Sequence, residues 1–414
     1  MIRVYFVLNQ FPVASETFVV NQVVAAITAG YSVKILTREI RDTNCSSQQE
    51  LIHKHDLMSR VCCIKENGPQ KTGSRVKKAL GFLIRNPALW RVFLRAFFFH
   101  ESGKRRFGLG LWFRIAAFLP FRDADIYHAQ FGENGRFIAV MKSLGVMKGE
   151  LLTTFHGYDA HFQAESLERQ RKHYALLFAI GKRFSANSDY IRRKLLALGC
   201  DGEKIMRLPM GVDVNFFCPT EVVGRGGEVI RLLSVGRLTR LKGHSLAIEC
   251  VSRLLDGKWR VTYDIIGDGV ERKELQDLID RSGLSGRVCI HGFLSQSEVR
   301  DFMGKSDIFL MPSICDEKGR REAQGMVTAE AQAMMLPVVA FDSGGVKDTL
   351  IENETGLLAR EADIEDFTSK VEFLIRHPEK RISMGTRGRR HVIDHFSLER
   401  MRAALIAFYE AVVT

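Results

Sequence analysis

The sequence predicts an α/β protein made of two doubly wound parallel sheets, one in each half of the chain. Three observations carry this. Short apolar runs alternate with helical patterns along the whole length, as successive βαβ units require. The 414 residues are too many for one ordinary core and suit two domains of about 200 residues each. The alternation also restarts after a turn-rich, aperiodic stretch near the middle.

In the first half, Val4–Leu8, Ser32–Leu36, Asp125–His128, Glu150–Thr154 and Arg183–Ala186 read as short buried strands. Helical patterns fall between them, as over 17–29 and 190–198. The second half repeats this with Ile230–Val235, Arg260–Ile266, Arg287–His291, Ile308–Met311 and Leu336–Ala340. Pro209-Met210-Gly211-Val212-Asp213 and the Gly224–Gly227 region join turn formers to a loss of periodicity and mark a linker. The expected units are therefore residues 1–208, residues 209–394 and a terminal amphipathic helix within 395–414 that no strand follows. If the two sheets face each other, a ligand lies in the cleft between their strand ends.

Composition narrows the function class. With 46% hydrophobic and 26% charged residues, the chain is a folded globular one. No stretch reaches the roughly 18 consecutive apolar residues that span a bilayer. The first strand begins at Arg3 without the order of a signal peptide, so a cytoplasmic protein is expected. The eight cysteines are scattered without a Cys-x-x-Cys pair, which suits reduced structural thiols.

The net charge of +12 is concentrated between residues 71 and 122, where twelve basic residues face one acid, Glu101. The same segment holds Phe82, Trp90, Phe93, Phe97, Phe98, Phe99, Phe107, Trp112, Phe113 and Phe118. Rings mixed with basic groups suit an anionic membrane face, where each cation near the surface contributes about 1 kcal/mol. They equally suit amphipathic helices that cover a sheet and turn a basic face to solvent. No motif supports nucleic acid as a partner.

The chemistry concentrates in Glu322-Ala-Gln-Gly325-Met326-Val327-Thr-Ala-Glu330, followed by Ser343-Gly344-Gly345. Helical spacing from Met326 puts a helix N-terminus there, with Glu322 in the preceding loop and Glu330 about one turn inside. The positive end of that helix is a natural phosphate site, and flanking carboxylates can accept from sugar hydroxyls. Two glutamates eight apart would mean little alone. However, Gly236-Arg237-x4-Lys242-Gly243 follows the first strand of the second half and supplies a guanidinium and an ammonium for a departing diphosphate. Ile266-Gly267-Asp268-Gly269 and His291-Gly292-Phe293-Leu294 end two further strands in tight turns.

Together these motifs resemble the family 4 glycosyltransferases of the GT-B fold, across roughly residues 230 to 360. In the first half, Phe155-His156-Gly157-Tyr158-Asp159 and Ser185-Ala186-Asn187-Ser188 match more loosely. Phe11-Pro12-x-x-Ser15-Glu16-Thr17-Phe18 is similar to the branch that builds bacterial exopolysaccharides such as colanic acid or amylovoran. The resemblance implies two Rossmann-like domains facing across a cleft, acceptor on the first and nucleotide sugar on the second, with the last helix crossing back. It assigns Arg237 and Lys242 to the donor diphosphate, Glu330 to the ribose, Glu322 to the donor sugar and His156 to the cleft near that sugar. Leu294 would lie beside the base, and the Ser15–Thr17 helix start would face the phosphates or the acceptor. One departure stands out: the glycine usual after the first glutamate is Ala323, and Gln324 replaces the aromatic or apolar residue that often follows.

The implied activity is retaining, metal-independent transfer of a hexose from a UDP- or GDP-sugar to a glycan, with a polyprenyl-linked oligosaccharide as the expected acceptor. No cofactor is implied, and the enzyme would work in the cytoplasm, peripherally at the inner membrane face. A GT-B nucleotide-sugar epimerase and a non-catalytic nucleotide-sugar-binding scaffold are the competing readings. Asp123-Ala-Asp125 spells a metal-binding Asp-x-Asp but precedes its strand, so a helix-to-strand connection is expected there. His128 is placed where its strand ends, either lining the acceptor cleft or packed inside.

Overall fold

Strand β1 (Arg3–Phe11) is buried from Val4 to Leu8, because the middle of a parallel sheet is covered on both faces. In the computed structural model, which describes residues 1–13, 16–43, 46, 48–64, 72–85, 89–101, 104–105, 109–161, 166–219 and 227–413, it is the third strand of a seven-stranded sheet. The other strands of the first half are β2 (Ser32–Ile40), β3 (Val61–Cys63), the small antiparallel pair β4 (His100–Glu101) and β5 (Lys104–Arg105), β6 (Ile126–Gln130), β7 (Glu150–Phe155), β8 (Arg183–Ala186) and β9 (Ile205–Arg207). The sheet runs β3-β2-β1-β6-β7-β8-β9 with every pairing parallel. Winding reverses between β1 and β6.

The second sheet comprises β10 (Ile230–Val235), β11 (Val261–Ile266), β12 (Val288–Gly292), β13 (Ile308–Met311), β14 (Val338–Phe341) and β15 (Gly356–Ala359). Its order is β12-β11-β10-β13-β14-β15, again parallel throughout, with the reversal between β10 and β13. Buried aliphatic and aromatic side chains fill both faces of each sheet. The predicted α/β class and all ten predicted strands are present. Five strands were not anticipated: the edge strands β3, β9 and β15, of three, three and four residues, and the two-residue pair β4 and β5.

The chain passes between the sheets twice, side by side. Val212 N donates to Phe396 O at 2.7 Å, and Leu398 N donates to Val212 O at 3.0 Å. The last helix, Leu398–Val413, then returns to the first sheet and buries Met401, Leu405, Phe408 and Tyr409 against the Thr17–Thr28 helix. Of the anticipated linker, residues 224–226 lie outside the described residues.

His128 does not end its strand. It sits in the middle of β6, fully buried, with Nδ1 2.8 Å from the Tyr409 hydroxyl and Nε2 2.7 Å from Thr154 Oγ1. The strand continues two residues further than the sequence pattern suggested because Ala129 and Gln130 are buried as well. His128 thus ties the returning helix to the first sheet.

The basic, aromatic segment forms helices Thr72–Arg85, Trp90–Phe97 and Leu109–Phe118. Their inner side chains, Leu83, Ala96 and Trp112 among them, join the core beside the first sheet, as does Leu89 just before the second helix. Apolar residues also remain on the outside: Val76, Leu80 and Ile84, then Trp90, Leu94 and Phe98, each four apart and all at least 41% exposed. Lys71, Arg106 and Phe107 lie outside the described residues. Among the described residues no helix is long and apolar enough to cross a membrane.

Candidate active site

The second sheet contributes its cations through a loop that only glycine permits. After β10, the short turn Arg240–Lys242 ends on Gly243 at φ +62°, where an added Cβ would lie 1.9 Å from the Pro312 carbonyl oxygen. That turn brings the Lys242 stem back over Gly236, and Lys242 Nζ donates to Glu322 Oε2 at 2.6 Å. Beneath it, Gly236 N donates to Ile266 O and Gly267 N donates to Gly292 O, at 2.9 and 2.8 Å. A side chain at Gly267, φ +144°, would strike the Gly236 carbonyl. Arg237 stands exposed beside this layer, and Leu294, just past β12, packs half-buried on the core.

Burial alone would raise the Glu322 carboxyl. The charge and hydrogen bond of Lys242, with the charge of Arg237, outweigh it and hold the group below the usual range. Its backbone is fixed too, since Glu322 O accepts from Gly345 N at 2.8 Å. Gly325, at φ +79°, turns the chain into the helix Met326–Ala333, in which Met326 and Val327 are half-buried. Glu330 lies one turn in, and burial pushes its carboxyl up to about 7. It shares a cavity of about 390 Å³ with Met326, Asp213 and Ser295 from the second half and Thr17 from the first. Thr17 and Glu330 are thus brought together across the two sheets, while Ser15 lies outside the described residues.

The two unusual residues after Glu322 have structural partners. Gln324 is buried and turned to the linker, accepting from Met210 N at 2.9 Å and donating to Met210 O at 3.3 Å. Ala323 sits against Gly157 of the first half, and its carbonyl accepts from Ser188 Oγ. Arg321 N donates to His161 Nε2 at 3.2 Å, so this loop spans both halves.

On the first sheet, His156 follows β7 and is 7% exposed, between the rings of Phe18 and Phe131 at 4.2 and 4.8 Å. Burial lowers its imidazole to about 3, so it is neutral. Gln130 Nε2 donates to Gln22 Oε1 at 2.9 Å, which leaves Gln130 Oε1 to accept from His156 Nε2 at 2.6 Å. That assigns the proton to Nε2 and leaves Nδ1 as a buried acceptor without a protein partner. Asp159 holds the turn by accepting from Gly132 N at 2.8 Å, His156 N at 3.1 Å and Gly157 N at 2.9 Å. Sequence reasoning missed Gln22, Gln130, Asp159 and Ser188 as supports. Asp159, three residues after His156, is the usual place for a carboxylate that closes a turn on backbone N–H groups, a signal that was available.

The Asp-x-Asp pair lies at the N-terminal end of the sheet. Arg3 donates to Asp123 Oδ2 at 2.9 Å and to Asp125 Oδ1 at 3.0 Å, so both carboxylates hold the start of β1. Among the described residues no three His, Cys, Asp or Glu side chains gather as a metal site.

The family model described as Glycosyltransferase Family 4 matches residues 15–216, and the one described as Glycosyl transferases group 1 matches residues 221–391. The amylovoran biosynthesis glycosyltransferase AmsK of Erwinia amylovora is 31% identical over 364 residues, covering 88% of each chain. The chain belongs to the family 4 glycosyltransferases. A second relative, a Salmonella typhimurium protein named as the colanic acid biosynthesis glycosyltransferase WcaL, is 30% identical over 99% of this chain and 100% of its own. The crystal structure of Anabaena HepE in complex with UDP-glucose superposes with a TM-score of 0.73, covering 99% of this chain and 100% of that one at 16% identity. The likeness in fold confirms the GT-B architecture. As a family 4 glycosyltransferase the chain is an enzyme that transfers a sugar.

Proposed function

We propose that this glycosyltransferase moves a hexose from a UDP- or GDP-sugar to a glycan acceptor in surface polysaccharide assembly, with retention and without a metal. The observation that carries the reading is the Lys242–Glu322 pair at 2.6 Å beside Arg237, before the N-terminus of the Met326–Ala333 helix. In the free enzyme Lys242 and Glu322 neutralise each other. An incoming diphosphate replaces Glu322 as the partner of Lys242, and the carboxylate is released toward the sugar ring.

In the reaction the bond from the anomeric carbon to the β-phosphate oxygen breaks, and its electron pair leaves with the phosphate. The acceptor hydroxyl attacks on the same face of the sugar and gives its proton to the departing phosphate oxygen. Arg237, Lys242 and the helix end meet the charge as it grows, so they stabilise the transition state more than the bound donor. Neutral His156 offers Nδ1 to a sugar hydroxyl. The AmsK and WcaL names support a polysaccharide acceptor, and the UDP-glucose held by HepE supports a nucleotide-sugar donor. Because protein cations meet the leaving charge, activity should persist in excess EDTA. A loss of more than about tenfold, restored by Mn²⁺ or Mg²⁺, would remove metal independence from this reading.

Glu330, the proposed ribose acceptor, makes a pH prediction. It accepts from hydroxyls best when ionised, and burial has raised it to about 7. Binding of a nucleotide sugar, whose diphosphate does not titrate in this range, should tighten about tenfold from pH 6 to pH 8. Glu330→Gln should flatten that slope; an unchanged slope would detach Glu330 from the ribose.

The exposed rows Val76, Leu80, Ile84 and Trp90, Leu94, Phe98, with Lys77, Lys78, Arg91 and Arg95 among them, are proposed to rest on an anionic membrane at the inner face of the cell. Binding to phosphatidylglycerol vesicles should weaken as salt rises and fall further in a Trp90→Ser, Leu94→Ser, Phe98→Ser variant. Equal binding to neutral vesicles, or no binding, would leave these helices only their role in the core.

A further inference from the structure

The cavity that Glu330 shares with Met326 and Asp213 has further walls within the second half. Ser295, Gln296 and Ser297, where the helix Gln296–Lys305 begins, bound one part of it. Phe216 and Phe217 bound another, on the first of the two segments that pass between the sheets. Phe217 is 3% exposed and packs in the core of the second half, whereas Phe216 is half-buried. Of the two rings, Phe216 is therefore the one with surface to offer a ligand.

That ring is held on a rigid support. Asp213 Oδ1 accepts from Asn215 N and Phe216 N, each at 3.0 Å, and Asp213 O accepts from Phe217 N at 2.8 Å. Arg389 ties down the chain on both sides, donating to Val214 O at 3.3 Å and to Phe217 O at 3.0 Å. The Arg300 guanidinium carbon lies 5.0 Å from the ring centre, over one face, and Phe217 meets the ring edge-on with centres 5.0 Å apart. A ring fixed in this way gives up little freedom when a second flat group stacks on it.

A nucleotide sugar is laid out as sugar, diphosphate, ribose and base. Lys242 and Glu322 stand before the Met326–Ala333 helix, and Glu330, the proposed ribose acceptor, lies about 6 Å along its axis from Met326. The base is bonded to the ribose, so it has to enter the cavity that Glu330 lines, within reach of Phe216. We infer that Phe216 is the platform on which the base of the donor stacks. The inference rests on the proposed role of Glu330. Stacking uses the flat face that every base has, so Phe216 supplies affinity for the nucleoside and leaves the choice of base to groups at its edge.

The test measures binding of UDP and GDP to the whole enzyme by calorimetry, beside donor kinetics with the sugar conjugate of the one that binds. Phe216→Leu keeps an apolar side chain against the core and removes the flat face. It should weaken nucleotide binding and raise donor KM by about tenfold, within the usual worth of one base–aromatic stack, while kcat falls far less. Phe216→Tyr restores a ring and should bind nucleotide within about threefold of wild type. In Phe216→Trp the added indole emission should be quenched by nucleotide, a signal that a ring serving the core alone would not give. A Phe216→Leu enzyme that binds nucleotide as tightly as wild type, or a Phe216→Trp enzyme whose emission nucleotide leaves unchanged, would overturn the inference. Wild type that binds neither UDP nor GDP would instead overturn the transferase reading, on which this one depends.

Discussion

Arg237→Ala and Lys242→Ala should each lower kcat by about 10²-fold, the usual loss when one preorganised donor is removed from a site where charge develops. Donor KM should change far less, because the diphosphate carries its largest charge only as the glycosidic bond breaks. The two variants should differ in one respect. Lys242→Ala also strips the partially buried Glu322 of its hydrogen bond, leaving only the Arg237 charge and Ala323 N–H to offset burial, so the Glu322 carboxyl should rise. Any stability the pair provides is present above the unfolded carboxyl range and is lost as pH falls through the depressed value. Lys242→Ala should therefore flatten the loss of stability that wild type shows as pH falls below the usual carboxylate range, an effect Arg237→Ala produces weakly. A kcat within about threefold of wild type in both variants would mean that the leaving charge is met elsewhere.

The two glutamates should separate by role. Glu330→Ala removes a contact made equally in the bound donor and the transition state, so it should raise donor KM by about 10 to 10²-fold with kcat nearly unchanged. Glu322→Gln keeps the volume and the loop but loses the charge beside the sugar as its anomeric carbon moves. It should cut kcat by about 10²-fold while free nucleotide binds almost as before.

The donor half was legible because its chemistry is local. Glycines at 243, 267 and 325 are required where the backbone approaches itself or takes positive φ, and such positions leave a fixed spacing in the sequence. Glu322 and Lys242 are 80 residues apart, yet each belongs to a motif that could be read alone. The first half was harder to read. His156 is oriented by Gln130, which is oriented by Gln22, and a chain of amides from two other elements leaves no periodic trace. His128 was placed at a strand end because the sequence does not reveal that Tyr409, 281 residues away, returns to satisfy it. Gln324 stands out in the sequence only as a departure from the family pattern; the Met210 backbone that it holds is visible only once the two halves are assembled.

The central claim, that donor chemistry is divided between Glu322 and Glu330, is tested most directly by calorimetry of the nucleoside diphosphate beside turnover of its sugar. Both are measured on Glu322→Gln and Glu330→Ala. The expected result is a Glu322→Gln enzyme that binds nucleotide and fails to turn over, and a Glu330→Ala enzyme that binds it weakly and turns over at saturating donor. Loss of nucleotide binding in Glu322→Gln together with normal donor kinetics in Glu330→Ala would contradict the account.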